Sequence, residues 1–291
     1  MAPTLTAISP ASAREAEVSF REVPVRTAPA TRRPGRPWES RVKLTIVMPA
    51  YNEERTIARA VQQILDLNLS SPLELLVVDD GSSDRTQEIL AEFWDPRLRV
   101  HSHAVNSGKG AAVLTGIANA SGSHLLVFDA DLEYSAEDIS RVLAPIVSGQ
   151  ANVVYGVRNF DRTEGRQPLR FRIGNRVMTI TANLLYGTRI SDLHTCLKLA
   201  PVSALRQLDL TEEGFGLDTE ITAKLLQNGI KPCEVPISYK PRSRAEGKKI
   251  DWRDGVKCLQ ILFRVRAQSV RRPSATEIDL TTPVRVEVAT A

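Results

Sequence analysis

From residue 44 to residue 157, short β-branched and aliphatic runs alternate with stretches of helical period. This rhythm narrows the fold more than any other feature of the chain. LTIVMP (44–49), LELLVVDD (73–80), LRVHSHA (98–104), HLLVFDAD (124–131) and NVVYGV (152–157) have the length and composition of strands. The segments near 54–67, 84–93, 108–120 and 135–147 space their apolar residues as helices do. Strands separated by helices predict an α/β fold with a mostly parallel central sheet and helices on both faces. Ligands of such sheets sit beyond the carboxyl ends of the strands, so the residues just after each strand are the ones to read for chemistry.

The ends of the chain lack this pattern. Residues 1–41 are rich in Ala, Pro, Ser, Thr and Arg, and residues 267–291 have a similar character. Such segments bury too little surface to offset their ordering entropy, so both are expected to be disordered tails around one domain at 42–266. A composition of 42% hydrophobic and 25% charged residues over 291 positions is compatible with a buried core. A net charge of +4 is too small to imply nucleic acid, and no nucleic-acid partner is expected. Cys196, Cys233 and Cys258 are odd in number and scattered, which fits neither a disulfide framework nor a zinc site and predicts a reducing, cytoplasmic setting. No run approaches the roughly 20 apolar residues that span a bilayer. The expected place is therefore the cytoplasm, free or peripheral at the membrane surface. Basic amphipathic stretches at 170–187 and 252–266 are the candidates for the peripheral contact, against the plainer reading of core-packed helices with exposed cations.

Each strand end carries a polar cluster. Pro49-Ala50-Tyr51-Asn52-Glu53-Glu54 follows the first strand, where Asn52 is placed to cap the next helix. Two readings fit it: a plain strand-to-helix turn, or a nucleotide-pocket wall made by Pro49, Tyr51 and Glu53. Asp79 and Asp80 end the second strand, with Ser83 or Asp84 available as a separate helix cap. Adjacent acids at the end of an apolar strand are unfavourable unless partnered, and a ribose or a base N–H would partner them. Gly108-Lys109-Gly110 opens a helix without completing a P-loop, so it reads equally as packing or as a phosphate contact. Asp129-Ala130-Asp131 ends the fourth strand. Alternate residues of an extended chain point the same way, so both carboxylates are expected to share one site. Holding two acids together calls for a cation, and Mg²⁺ combines a few carboxylates with phosphate oxygens. The expected cofactor is Mg²⁺ or Mn²⁺.

The second half is less regular. Arg170 to Tyr186 reads as a helix, with Arg170 and Arg176 among its cations. Asp218 and Glu220 start another helix, as first-turn acids or as residues facing the site. Arg242 to Ile250 is a basic loop after a strand at 232–239, and its position opposite an acidic metal site favours an anion-binding role. His101 and His103 read as ordinary strand residues, and Cys196 as a small buried one.

Seven segments in order, IVMPAYNEE (46–54), VVDDGSSDRT (77–86), NSGKGAA (106–112), FDADLE (128–133), DLHTCLK (192–198), GFGLDTEI (214–221) and RSRAEGKKI (242–250), resemble the family 2 glycosyltransferases, in the branch of dolichol- and polyprenyl-phosphate sugar synthases. The resemblance covers about residues 43–262. It implies the GT-A type fold of nucleotide-diphospho-sugar transferases, a divalent metal and inverting transfer of a hexose from a GDP- or UDP-sugar to polyprenyl phosphate. Carried over by position, Pro49, Tyr51, Glu53, Asp79, Asp80, Lys109, Asp129, Ala130 and Asp131 would bind the donor. Asp129 and Asp131 would hold the metal, and Asp131, Asp129, Glu133 and Asp218 would form the catalytic set. An anionic lipid phosphate needs cations to hold it against these acids, and Arg170, Arg176, Arg244, Lys248 and Lys249 are the available ones. The alternatives are a soluble hydroxyl acceptor, which needs Asp218 or Glu220 as base, and a catalytically silent nucleotide-binding protein. A dehydrogenase is disfavoured because no G-x-G-x-x-G follows the first strand.

Overall fold

The computed structural model describes residues 42–158, 169–242 and 252–269. The expected alternation is present. The order is β1 (Leu44–Ala50), α1 (Ile57–Leu65), β2 (Leu73–Asp79), α2 (Thr86–Ala91), β3 (Leu98–Ser102), α3 (Lys109–Asn119), β4 (His124–Val127), α4 (Asp138–Val147) and β5 (Val154–Arg158). It continues with α5 (Leu169–Tyr186), β6 (Lys198–Pro201), α6 (Val202–Gln207), α7 (Leu217–Gln227), β7 (Cys233–Ile237) and α8 (Trp252–Ser269). The last helix runs past the expected domain boundary at 266.

The strands form one sheet in the order β3-β2-β1-β4-β6-β5-β7. All neighbours are parallel except β6, which runs antiparallel to β4 and β5. The sheet is thus mostly parallel, as expected, with one reversed strand. Parallel strands covered on both faces are apolar throughout, and every residue of β1 is buried. Chain order reverses at β1, with β2 on one side and β4 on the other. A crevice opens at such a switch point, and it is bounded here by the residues after β1, β2 and β4.

A second, smaller core lies among α5, α7 and α8. It contains Met178, Ala182, Leu193, Ala223, Leu226, Cys258, Ile261, Leu262 and Val265. The Tyr186 hydroxyl ties α5 to α8 by donating to the Leu262 carbonyl at 2.9 Å. Among the described residues, no helix is long and apolar enough to cross a membrane.

Candidate active site

β4 stops at Val127, four residues short of the extended run expected, so Asp129 and Asp131 lie on the loop beyond it. Strand alternation is therefore not what brings them together. Phe128 N–H still donates to the Val47 carbonyl at 2.9 Å, and Leu132 turns the chain with φ 60°. Asp129 accepts from Lys109 Nζ at 2.8 Å, and Asp131 accepts from Arg242 Nη2 at 2.9 Å. Burial, then the charges of Asp129 and Glu133, raise the Asp131 carboxyl to about 7. Burial pulls Lys109 down, but Asp129, Cys196 and Asp218 outweigh it and hold the ammonium well above the ordinary lysine range. Glu133, expected in the catalytic set, has both oxygens engaged within the protein. The Tyr239 hydroxyl donates to one and the Arg242 backbone N–H to the other, each at 2.7 Å. These bonds tie Glu133 to the start of the basic loop, where Arg242 reaches Asp131 and lies 3.5 Å from Glu53.

The two acids after β2 divide their work. Asp80 accepts from Ser107 N–H at 2.9 Å, from Gly108 N–H at 2.7 Å and contacts His103 Nδ1 at 2.7 Å. It holds the turn into α3. Asp79 takes Gln87 Nε2 and the Ser82 N–H on Oδ2, while its buried Oδ1 has no partner. Asn52 does not cap α1. It sits at φ 55° and its Oδ1 accepts from Ser83 N–H at 2.8 Å, which links the β1 and β2 loops. Glu53 receives the Thr56 hydroxyl at 2.6 Å, and its own N–H donates to Thr86 Oγ1 at 2.9 Å. Asp84 accepts from Thr86 N–H, the first of α2, at 2.9 Å, although the N-cap position itself falls to Arg85 and not to Ser83 or Asp84. Pro49 and Ala130 are buried and Tyr51 is half-buried at the rim.

The amino end of α3 packs against the 212–214 backbone. Ala111 N–H donates to the Glu213 carbonyl at 2.9 Å, and the 212–214 backbone lies where a side chain at Gly108 or Gly110 would have to go. Close packing accounts for both glycines, and Lys109 pairs with Asp129.

On the far side of Asp129, Asp218 lies 3.4 Å from Lys198 Nζ, which also donates to the Asp218 carbonyl at 2.7 Å. Burial alone would raise the Asp218 carboxyl, but Lys198, Lys109 and His194 hold it below the usual range. Glu220 does not face the site: it accepts from Thr211 N–H and Glu212 N–H, both at 2.9 Å, and pairs with Lys224 at 2.9 Å. A buried chain of contacts stands behind Asp218. Arg158 makes a two-pronged pair with Asp192, both bonds 2.7 Å, and Asn175 Nδ2 donates to the same carboxylate at 3.0 Å. His194 lies between Asn175 and Thr219, and burial with Lys198 and Arg158 lowers its imidazole to about 4. Cys196 is buried, as expected, beside Lys109.

Of the expected acceptor cations, Arg176 is exposed on α5 and the Arg170 side chain is outside the description. Arg244, Lys248 and Lys249 lie outside the described residues. Arg242, His103, Lys198 and Arg158 were not singled out from sequence as site residues. Arg242 and Lys198 stood inside quoted motifs, which was the available signal. His103 and Arg158 had none, because their partners are distant in sequence.

The acids fit a divalent cation. Among the described residues no group of three or more His, Cys, Asp or Glu side chains is placed to hold a metal. Mg²⁺, however, is typically bound by one or two carboxylates with phosphate and water completing the shell. Asp131, raised by burial beside Asp129, is the kind of carboxylate that a cation would relieve.

The family described as glycosyl transferase family 2 matches residues 45–209. Glycosyltransferase AglJ of Haloferax volcanii is 32% identical, over 75% of this chain and 70% of that protein. A UDP-N-acetylglucosamine–dolichyl-phosphate N-acetylglucosaminyltransferase of Methanococcus voltae is 29% identical, over 70% of this chain and 89% of that protein. The fold matches glucosyl-3-phosphoglycerate synthase of Mycobacterium tuberculosis, solved with Mn²⁺, UDP-glucose and phosphoglyceric acid. That match has a TM-score of 0.60 and 18% identity, over 80% of this chain and 86% of the other.

Proposed function

The chain belongs to glycosyl transferase family 2, and from that premise we propose that it moves a hexose, with inversion, from a GDP- or UDP-sugar to polyprenyl phosphate. The state of Asp218 carries the choice of acceptor. A hydroxyl acceptor needs a base to take its proton, and a carboxylate held low by two ammonium groups is a poor one. Glu220, the other candidate base, is consumed by backbone N–H groups and Lys224. A phosphate acceptor is ionised already and needs no base. The Methanococcus voltae relative, whose name pairs a UDP-sugar with dolichyl phosphate, supports the same choice.

Asp129 and Asp131 would hold Mg²⁺ or Mn²⁺ with the donor diphosphate. The metal supplies charge neutralisation for the leaving nucleotide diphosphate. Asp79 Oδ1 is a buried acceptor left for a base N–H or a ribose hydroxyl, with Tyr51 and Pro49 beside the crevice. The acceptor phosphate oxygen attacks the anomeric carbon from the face opposite the leaving group, and the bond to the nucleotide diphosphate breaks with its electron pair. Arg170, Arg176, Arg244, Lys248 and Lys249 are the cations we assign to the lipid phosphate. The catalytic domain is taken as residues 42 to about 266.

A panel of nucleotide sugars, scored by nucleotide release with and without polyprenyl phosphate, tests the reading. Release that depends on polyprenyl phosphate and stops in excess chelator is expected. Equal release with a simple sugar alcohol as acceptor would reject the phosphate assignment, and full turnover in chelator would reject the metal.

A further inference from the structure

α5 is apolar on two opposite sides. Met178 and Ala182 are buried against α8 and α7. Ile173, Val177, Ile180 and Leu184, spaced four, three and four residues apart, are 53%, 47%, 47% and 79% exposed. At about 100° per residue this second stripe lies roughly 180° from the first. A helix on the surface of a water-soluble protein keeps its outer face polar, and an apolar outer stripe marks a contact. The charged residues that α5 exposes are of one sign: Arg172 and Arg176 are exposed, its sequence contains no acid, and the exposed Arg189 follows its end. The packed neighbour α8 adds exposed apolar residues, Val256 at 44% and Phe263 at 54%, with exposed Arg266 near its end.

We propose that the outer stripe of α5, with Val256 and Phe263 of α8, docks the enzyme onto an anionic lipid bilayer. Apolar side chains enter the boundary between headgroups and acyl chains while arginines meet lipid phosphates. Charge selects this occupant: every charged residue of α5 is an arginine, so its outer stripe complements a negative lipid surface and opposes a second copy of itself, and α8 adds a single acid, Asp254, in its first turn. The inner face of α5 points the same contact at the chemistry. Asn175 bonds Asp192 and His194, and His194 contacts Thr219, the neighbour of Asp218. A lipid phosphate rising from the bilayer would reach the site along this helix. That purpose rests on the lipid-phosphate reading, but the docking surface stands apart from it.

The test is flotation of the full chain with phosphatidylglycerol-containing vesicles and with neutral phosphatidylcholine vesicles. Co-flotation with the anionic vesicles is expected. Ile180→Glu combined with Leu184→Glu should lower it at least about tenfold, with an unchanged melting temperature because both side chains point outward. Arg189→Glu, beyond the helix, serves as a second variant and should weaken anionic binding several-fold. The double variant should also lose transfer to vesicle-borne polyprenyl phosphate while keeping turnover with a short, water-soluble analogue. Absence of native flotation, or equal flotation of the variants, would overturn the proposal. So would a lipid-free dimer that the double variant dissolves, since the stripe would then belong to a second copy. A native chain that floats but transfers to neither acceptor would count against the acceptor and leave the docking surface standing.

Discussion

Asp80 spends its carboxylate on Ser107, Gly108 and His103, whereas Asp79 keeps Oδ1 buried and unpartnered. Their substitutions should therefore separate. Asp79→Asn, which replaces an acceptor-only group with a mixed one, should weaken nucleotide-sugar binding about tenfold with little change in melting. Asp80→Asn should instead destabilise the fold by about 1–3 kcal/mol, because the amide cannot accept from every N–H now aimed at it. Titration calorimetry and thermal melts on both variants check this, and the reverse pattern would exchange the two roles. Asp131 gives a second prediction at this scale. Burial and its acidic neighbours raise it to about 7 from an ordinary 3.8, so the folded state holds the proton more tightly than the unfolded chain. Its effect on stability thus becomes unfavourable as pH rises from about 4 through 7. In chelator at pH 8, Asp131→Asn should melt higher than the native chain while losing donor turnover, and a lower melting point would contradict the electrostatic account. Acids at strand ends were legible in sequence because strand length and polarity alone locate them. Arg242, which meets Asp131 across more than a hundred residues, was legible only as a member of a basic run.

α3 shows why helix propensity is the smaller consideration when an element packs closely. A Cβ on Gly116 would meet the Cγ atoms of Val47 in β1, a buried strand residue with nowhere to move. Alanine gains about 1 kcal/mol over glycine inside a helix, yet overpacking of this kind is unfavourable by about 1–3 kcal/mol. Gly116→Ala should therefore destabilise the chain, most plainly in a denaturant midpoint, and a rise in midpoint would show that α3 can shift off the sheet. The helices and the long strands were legible from their periods. β6, four residues long with a buried Lys198, was not. It is too short to show a period, and its lysine reads as surface unless the carboxylate and carbonyl of Asp218 are known to wait for it. The outer stripe of α5 was visible as apolar residues among arginines, but only packing tells which of them face the core.

Across the whole molecule the two ends of the sheet carry acids for opposite purposes. At the carboxyl end, Asp79 keeps an unpartnered acceptor and Asp131 a carboxyl raised by burial and like charge, which is the condition of a binding site. At the other end, Glu74 sits opposite Thr45 in the β1–β2 register and is satisfied in full. It accepts from the Thr45 hydroxyl at 2.6 Å, from Ser121 N–H at 2.9 Å, from the Ser121 hydroxyl at 2.7 Å and from Arg99 Nη1 at 2.9 Å. Burial alone would raise this carboxyl, but these donors outweigh it and lower it from 4.5 to about 2. The folded state therefore favours the ionised form, and the sign is opposite to that at Asp131. The contribution, on the order of 3 kcal/mol, is fully present above about pH 4.5 and is lost as pH falls through about 2. Glu74→Gln keeps the shape but removes the titration. It should lower stability at pH 7 and flatten the acid limb between pH 4.5 and 2, while donor affinity at the far end of the sheet stays unchanged. Urea midpoints measured across that range check the expectation: an acid limb of native steepness in the variant would place the acid sensitivity of the fold elsewhere.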